Sequence, residues 1–179
     1  MPFIETEESK LITQAEASRR EERKKLLENR PNLRISINTD DLKRIINYSM
    51  FKCARDSSVA RNEAIMGSDI DGGLVITDKK ISRRQRLSFI NELRSMGFSV
   101  YDISEYQQAE RTLTNFVKQC RGSFNPEQLN KLHELVSQKV DAQCGLIHFF
   151  SEAEIKKFKI FGFPETGIKQ IYFHGYSIQ

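Results

Sequence analysis

Two carboxylates one residue apart, Asp69 and Asp71, run directly into Gly72-Gly73-Leu74-Val75-Ile76. If Asp69–Ile76 is extended, alternate side chains share a face, so both acids point together, opposite Ile70. At ~5 Å and an effective dielectric of ~20 such a pair repels by ~3 kcal/mol, which a cation between them offsets. All-oxygen ligation suits a hard ion, Mg²⁺ or Mn²⁺, commonly held by one or two carboxylates together with substrate phosphates and waters. The other reading of the same residues is an ordinary Asp–Gly turn.

Three neighbours favour the metal. Ser57 and Ser58 stand about ten residues upstream, where a hydroxyl and backbone N–H groups can hold a terminal phosphate. Arg61 and, more loosely, Lys79 or Lys80 can neutralise further phosphate charge. A third acid, Asp102, ends the run Ser99-Val100-Tyr101-Asp102-Ile103, and lies beside the first two if its strand neighbours theirs.

The elements that must position these groups follow from periodicity. Asn38-Thr39-Asp40 supplies an N-cap, and Leu42, Ile45, Ile46, Ser49, Met50 and Cys53 repeat at i, i+3, i+4, predicting a buried helix ending near Ala54. A loop to Ser68 leads to a short buried strand through Leu74-Val75-Ile76, closed by a turn at Asp78-Lys79-Lys80. Ser82 caps a helix with Leu87, Ile90, Leu93 and Met96 inward, Gly97 takes the left-handed C-terminal position, and a strand over 98–103 follows. Strand, helix, strand over roughly 35 residues has the length of a βαβ-like unit.

The arrangement resembles the nucleotidyltransferase superfamily that includes DNA polymerase β. That motif is an apolar residue, Gly and Gly or Ser, a spacer, Asp-x-Asp or Asp-x-Glu, and a later carboxylate on another strand. Here Ser57-Ser58 stands for Gly-Ser, Asp69-Ile70-Asp71 for the acid pair, and Val100-Tyr101-Asp102 for the third strand. The finer pattern Ser58-x-Ala60-Arg61-x-Glu63, then Ser68-Asp69-x-Asp71, is similar to that of the protein-modifying uridylyl- and adenylyltransferases. The resemblance covers about Leu42 to Ile103.

It implies that Asp69 and Asp71 hold two Mg²⁺ ions ~3.5–4 Å apart, that Asp102 completes the second metal site, and that Ser57, Ser58 and Arg61 grip the phosphates. It implies transfer of a nucleoside monophosphate from a nucleoside triphosphate, ATP among the candidates, to an acceptor on protein, RNA or a small molecule. Ser57 replaces a glycine that lets backbone approach phosphate, and Gly72-Gly73 replaces the usual apolar residues. Those departures motivate the alternative of a catalytically degenerate module that keeps the fold and binds nucleotide or a partner protein.

The rest of the chain sets the frame. Residues 1–30 read as a charged N-terminal helix, 31–104 as an α/β (α+β) core with a small mixed sheet, and 105–179 as a helical C-terminal part with a short β-rich end near Ile168–Tyr176. Two helices are predicted there, Glu105–Cys120 and Pro126–Gln143, then an apolar stretch Leu146–Phe150 and a helix from Glu152. The 179 residues suffice for one good core, and 39% hydrophobic with 29% charged residues excludes collagenous and disordered classes.

The net charge of +4 permits a phosphate-bearing partner without requiring one. Within Arg19–Lys25 the acids Glu21 and Glu22 can pair with the lysines, so a solvated face outranks a nucleic-acid grip. Cys53, Cys120 and Cys144 show no metal or disulfide spacing, with Cys53 expected as a buried thiol. Acidic residues near the start, and no long apolar run, predict a cytoplasmic protein with no membrane partner. Lys156-Lys157-Phe158-Lys159 mixes basic and aromatic residues, the best acceptor-docking stretch outside the core.

Overall fold

The computed structural model describes residues 5–29 and 33–160, which form six helices and four strands. In chain order these are α1 (Glu7–Glu28), α2 (Thr39–Lys43), β1 (Tyr48–Lys52), β2 (Gly73–Thr77), α3 (Arg83–Ser95), β3 (Tyr101–Asp102), α4 (Ile103–Cys120), α5 (Pro126–Cys144), β4 (Leu146–Ser151) and α6 (Glu152–Ile160). The fold is mixed α and β. The expected β-rich end at Ile168–Tyr176 lies outside the described residues. Among those described, no helix is long and apolar enough to cross a membrane.

The chain divides into two compact units, one of residues Met1–Arg30 with Ser104–Gln143, the other of Pro31–Ile103 with Cys144–Gln179. The first is helical. Its α1 buries no side chain, and is tied to α5 by charge: Arg19 donates to both oxygens of Asp141 at 2.9 Å, and Arg23 to Oδ1 at 3.1 Å. Its hydrogen bonds to Asp141 hold the Arg19 guanidinium above its ordinary pKa. Arg19 also meets Glu22 at 3.2 Å and Lys25 approaches Glu21 at 3.9 Å, so part of the basic run is neutralised locally.

The second unit holds the sheet, in the order β1-β2-β4-β3, with β1 antiparallel to β2 and the other pairs parallel. Within the expected helical part with a short β-rich end, residues 105–179, the apolar stretch 146–150 forms β4, a central strand between β2 and β3. Leu146–Ser151 joins because Ile147 pairs with both Gly73 and Asp102, and is itself fully buried.

Of the helix expected through Ala54, only the single turn α2 exists, and Tyr48–Lys52 forms β1 instead. Asn38 does cap α2, accepting from the N–H groups of Asp40 and Asp41. Beyond it, aromatic packing overrides local helical spacing. Tyr48, Phe51 and Phe149 set their rings edge-on around Phe89 at 6.0, 5.7 and 5.4 Å, an arrangement worth roughly 0.5–1.5 kcal/mol per pair beyond burial.

Helix α3 follows the sequence closely. Ser82 and Gln85 form a reciprocal capping box, and Gly97 has φ +105° after the last turn; of the expected inward stripe Ile90 and Leu93 are buried, Leu87 and Met96 are half-buried, and Phe89, outside that stripe, is fully buried. The strand expected over 98–103 is reduced to Tyr101–Asp102. Cys53 is fully buried as expected, but just past β1 and not on the face of a helix.

Candidate functional site

The strands β1 and β2 are joined by a long loop that carries the Ser-Ser pair and ends in the acid pair. The backbone N–H of Ala54, just beyond β1, donates to the carbonyl of Asp71, just before β2, at 2.7 Å. Both motif elements therefore sit at one end of this antiparallel pair.

Residues 57–63 fold into a helical turn: Arg61 N–H reaches the Ser57 carbonyl at 3.2 Å and Glu63 N–H the Ser58 carbonyl at 2.8 Å. Asn62 closes it at φ +57°, a region that Asn tolerates better than most residues. Ser57 caps this turn. Its hydroxyl accepts from Ala60 N–H at 3.2 Å and is directed to Cys53 Sγ at 3.5 Å, and the residue is 2% exposed. That hydroxyl is committed to the fold and not to a phosphate, while Ser58 is only half-buried. Arg61 is exposed and held by Glu63 at 2.8 Å and by the carbonyl of Asp56.

The acids do not lie on a strand, as their alternation had suggested. β2 begins at Gly73, and Ile70–Gly73 is a turn closed by Gly73 N–H to Ile70 carbonyl at 3.1 Å, with Gly72 at φ +62°. This positive φ is what Gly72 supplies in place of an apolar residue. Burial still alternates, from half-buried Asp69 through fully buried Ile70 to exposed Asp71. Upstream, Ser68 moors the segment: its hydroxyl accepts from Ile65 N–H at 3.0 Å, and its carbonyl from Ser99 N–H at 2.9 Å.

Asp102 is placed elsewhere. It is fully buried, and the α3 residue Arg86 grips it, Nε to Oδ1 at 2.9 Å and Nη2 to Oδ2 at 3.4 Å. In register it pairs with Ile147, which pairs in turn with Gly73, so β4 separates Asp102 from β2 by two strand spacings, about 10 Å. The neighbouring strands on which a three-carboxylate site depended are not neighbours. Among the described residues no group of three or more His, Cys, Asp or Glu side chains is gathered to hold a metal ion. Donor chemistry leaves Asp69 and Asp71 as the oxygen pair suited to Mg²⁺, without Asp102.

Lys79 and Lys80 are likewise displaced. All of β2, five residues at about 3.3 Å each, or roughly 16 Å, stands between them and Asp71. Arg86 is the residue that sequence reasoning passed over. Its signal was present, since Arg86 precedes Ile90 by four and Leu93 by seven residues and so belongs to the inward stripe of α3.

A cleft of about 270 Å³ opens beside the Ser-Ser turn, its walls mixing Ile35, Val59 and Phe98 with the polar Arg34, Ser36 and Asn62. No family model, curated protein or solved structure matches this chain. The geometry of the site must speak for itself. It offers two carboxylates, a capped turn with an exposed guanidinium, and a cleft of mixed lining, all supplied by the loop between β1 and β2 and the segments beside it.

Proposed function

We propose that the chain is a metal-dependent nucleotidyltransferase that moves a nucleoside monophosphate from a nucleoside triphosphate to an acceptor hydroxyl. The single observation that supports this most is the Ala54–Asp71 hydrogen bond, which draws the Ser-Ser turn and the acid pair to the same end of β1 and β2. Asp69 and Asp71 are the residues that would hold Mg²⁺, as one or two carboxylates with phosphates and waters commonly do. Held there, the ion would supply charge neutralisation at the triphosphate and would lower the pKa of the acceptor hydroxyl.

The chain's own residues do the positioning. Arg61 and the backbone around Ser58 hold the leaving phosphates, and the cleft beside Val59 and Ala60 takes the base. The acceptor oxygen forms its bond to the α-phosphorus as the bond to the bridging oxygen breaks in line, pyrophosphate departs, and the hydroxyl proton passes to solvent. Asp102 takes no part, because Arg86 occupies both of its oxygens.

That same pair favours a second reading, a nucleotidyltransferase-fold module that binds Mg²⁺–nucleotide without transferring it. Calorimetric titration with nucleoside triphosphate, with and without Mg²⁺, on the natural chain, Asp71→Asn and Asp102→Asn tests both. Each reading expects Mg²⁺-dependent binding that Asp71→Asn weakens at least tenfold and a folded Asp102→Asn variant keeps. Only the first expects labelled acceptor. Absence of Mg²⁺-dependent binding at millimolar nucleotide would sink both.

A further inference from the structure

We propose that a second cleft, at the carboxyl end of β2, binds the di- or triphosphate group of a small phosphorylated ligand without a metal. The cleft measures about 450 Å³, a size that admits a nucleotide. Its walls bring Lys43 and Arg44, from the end of α2, to Lys79 and Lys80, from the link between β2 and α3. Four cationic side chains thus line one concavity against one carboxylate, Asp78. Arg44 also meets Asp41, and Lys43 Nζ lies 6.0 Å from the Tyr48 ring centroid. Lys43, Lys79 and Lys80 are exposed.

Two further features favour an anion there. Helix α3, thirteen residues long, starts at the same place, and Gln85 of its capping box lines the cleft. The first turn of a helix favours acids because the macrodipole is positive there, yet α3 has none and begins Arg83-Arg84. Lysines gathered in one cleft repel one another, and an anion shared among them relieves that repulsion. In sheets with parallel strands, ligands also gather outside the carboxyl ends of the strands, and Thr77 ends β2 at this point. Ile45, Ile46 and Ile81 also line the cleft, beside Asn47, and offer an apolar seat for an organic moiety.

The cleft is separate from the acid pair, which lies at the opposite end of β2, so its occupancy does not depend on the transferase reading. Titrating the full chain with tripolyphosphate and with ADP in the presence of EDTA tests it. Tripolyphosphate should bind without metal, the double variant Lys79→Gln/Lys80→Gln should weaken it at least tenfold, and Asp71→Asn should leave it unchanged. Loss of binding as salt rises from 50 to 300 mM is expected, at roughly the slope that a few released counterions give. ADP binding more tightly than inorganic diphosphate would identify an organic ligand, and equal binding an inorganic one. No metal-free binding, binding indifferent to the lysine substitutions, or binding confined to long RNA would overturn the proposal.

Discussion

Arg86 Nε stands 2.9 Å from Oδ1 of Asp102 while its Nη2 stands 3.4 Å from Oδ2, so one guanidinium spans a carboxylate with no exposed surface. A helix-to-sheet ion pair of this kind belongs to the architecture, because it pins α3 to the short strand β3. Removing one partner of a buried pair strands the other charge in a poorly solvated site, at about 3–5 kcal/mol, whereas replacing both can be near neutral. Arg86→Leu is therefore expected to lower stability by about 3 kcal/mol or more, and Arg86→Leu with Asp102→Leu to recover most of it. Urea midpoints at constant slope read this out. A single variant as stable as the natural chain would assign Asp102 another environment.

Phe89 anchors the core of the sheet-bearing unit through three edge-on ring contacts and is fully buried. Phe89→Ala should destabilise by about 3–5 kcal/mol, from lost burial together with the cavity left among Tyr48, Phe51 and Phe149. Phe89→Leu should cost clearly less. Equal losses would mean that the cavity collapses instead of persisting.

Two glycines face different obstacles. A Cβ on Gly145 would sit 2.2 Å from the Ser99 carbonyl oxygen, whereas one on Gly73 would meet the end of the Ile147 side chain at 2.3 Å. A backbone oxygen cannot rotate away, and Gly145 also accepts the Tyr101 N–H at 2.8 Å. Gly145→Ala should cost about 3 kcal/mol and Gly73→Ala about 1–2, on the usual scale of overpacking. Thermal unfolding of both variants gives the ranking, and the reverse order would contradict this packing.

His148 lies partly buried on β4 with its ring parallel to that of Phe150, at 6.2 Å and 3° between planes. Burial pushes the imidazole pKa below its ordinary 6.5. Below pH 6.5 the unfolded chain takes up a proton that the folded chain refuses, so stability falls from about pH 7 downward until the folded value is reached. His148→Phe should flatten that part of the pH profile. Urea midpoints at pH 7.5 and 5.5 check it, and an unchanged slope would place the titration elsewhere.

Legibility in the sequence followed the range of the forces involved. The bounds of helix α3 were legible because Ser82, Ile90, Leu93 and Gly97 act within a few residues of one another, while Phe89, which answers to distant rings, was not. Residues 48–52 were misread as helix because Phe51 and Tyr48 answer to Phe89, some forty residues away. The place of Leu146–Ser151 between two strands was hidden for the same reason, since parallel pairing carries no local turn signal. At the site, the types of Asp69, Asp71 and Ser58 were legible and their loop setting was not. Ser57 looked equivalent to Ser58, yet it spends its hydroxyl on Ala60 and Cys53. Asp102 was assigned to the acids, although Arg86 on the inward stripe of α3 had the better geometry.

Transfer of label from α-labelled ATP, GTP, CTP and UTP, with Mg²⁺ or Mn²⁺, onto cell-extract protein and RNA tests the nucleotidyltransferase reading most directly. The natural chain should label an acceptor from at least one nucleotide. Asp71→Asn should abolish the label while leaving stability near normal, because Asp71 is exposed in its turn. Label that persists in Asp71→Asn, or no label in any fraction from a chain that binds the nucleotide, would contradict catalysis by the acid pair.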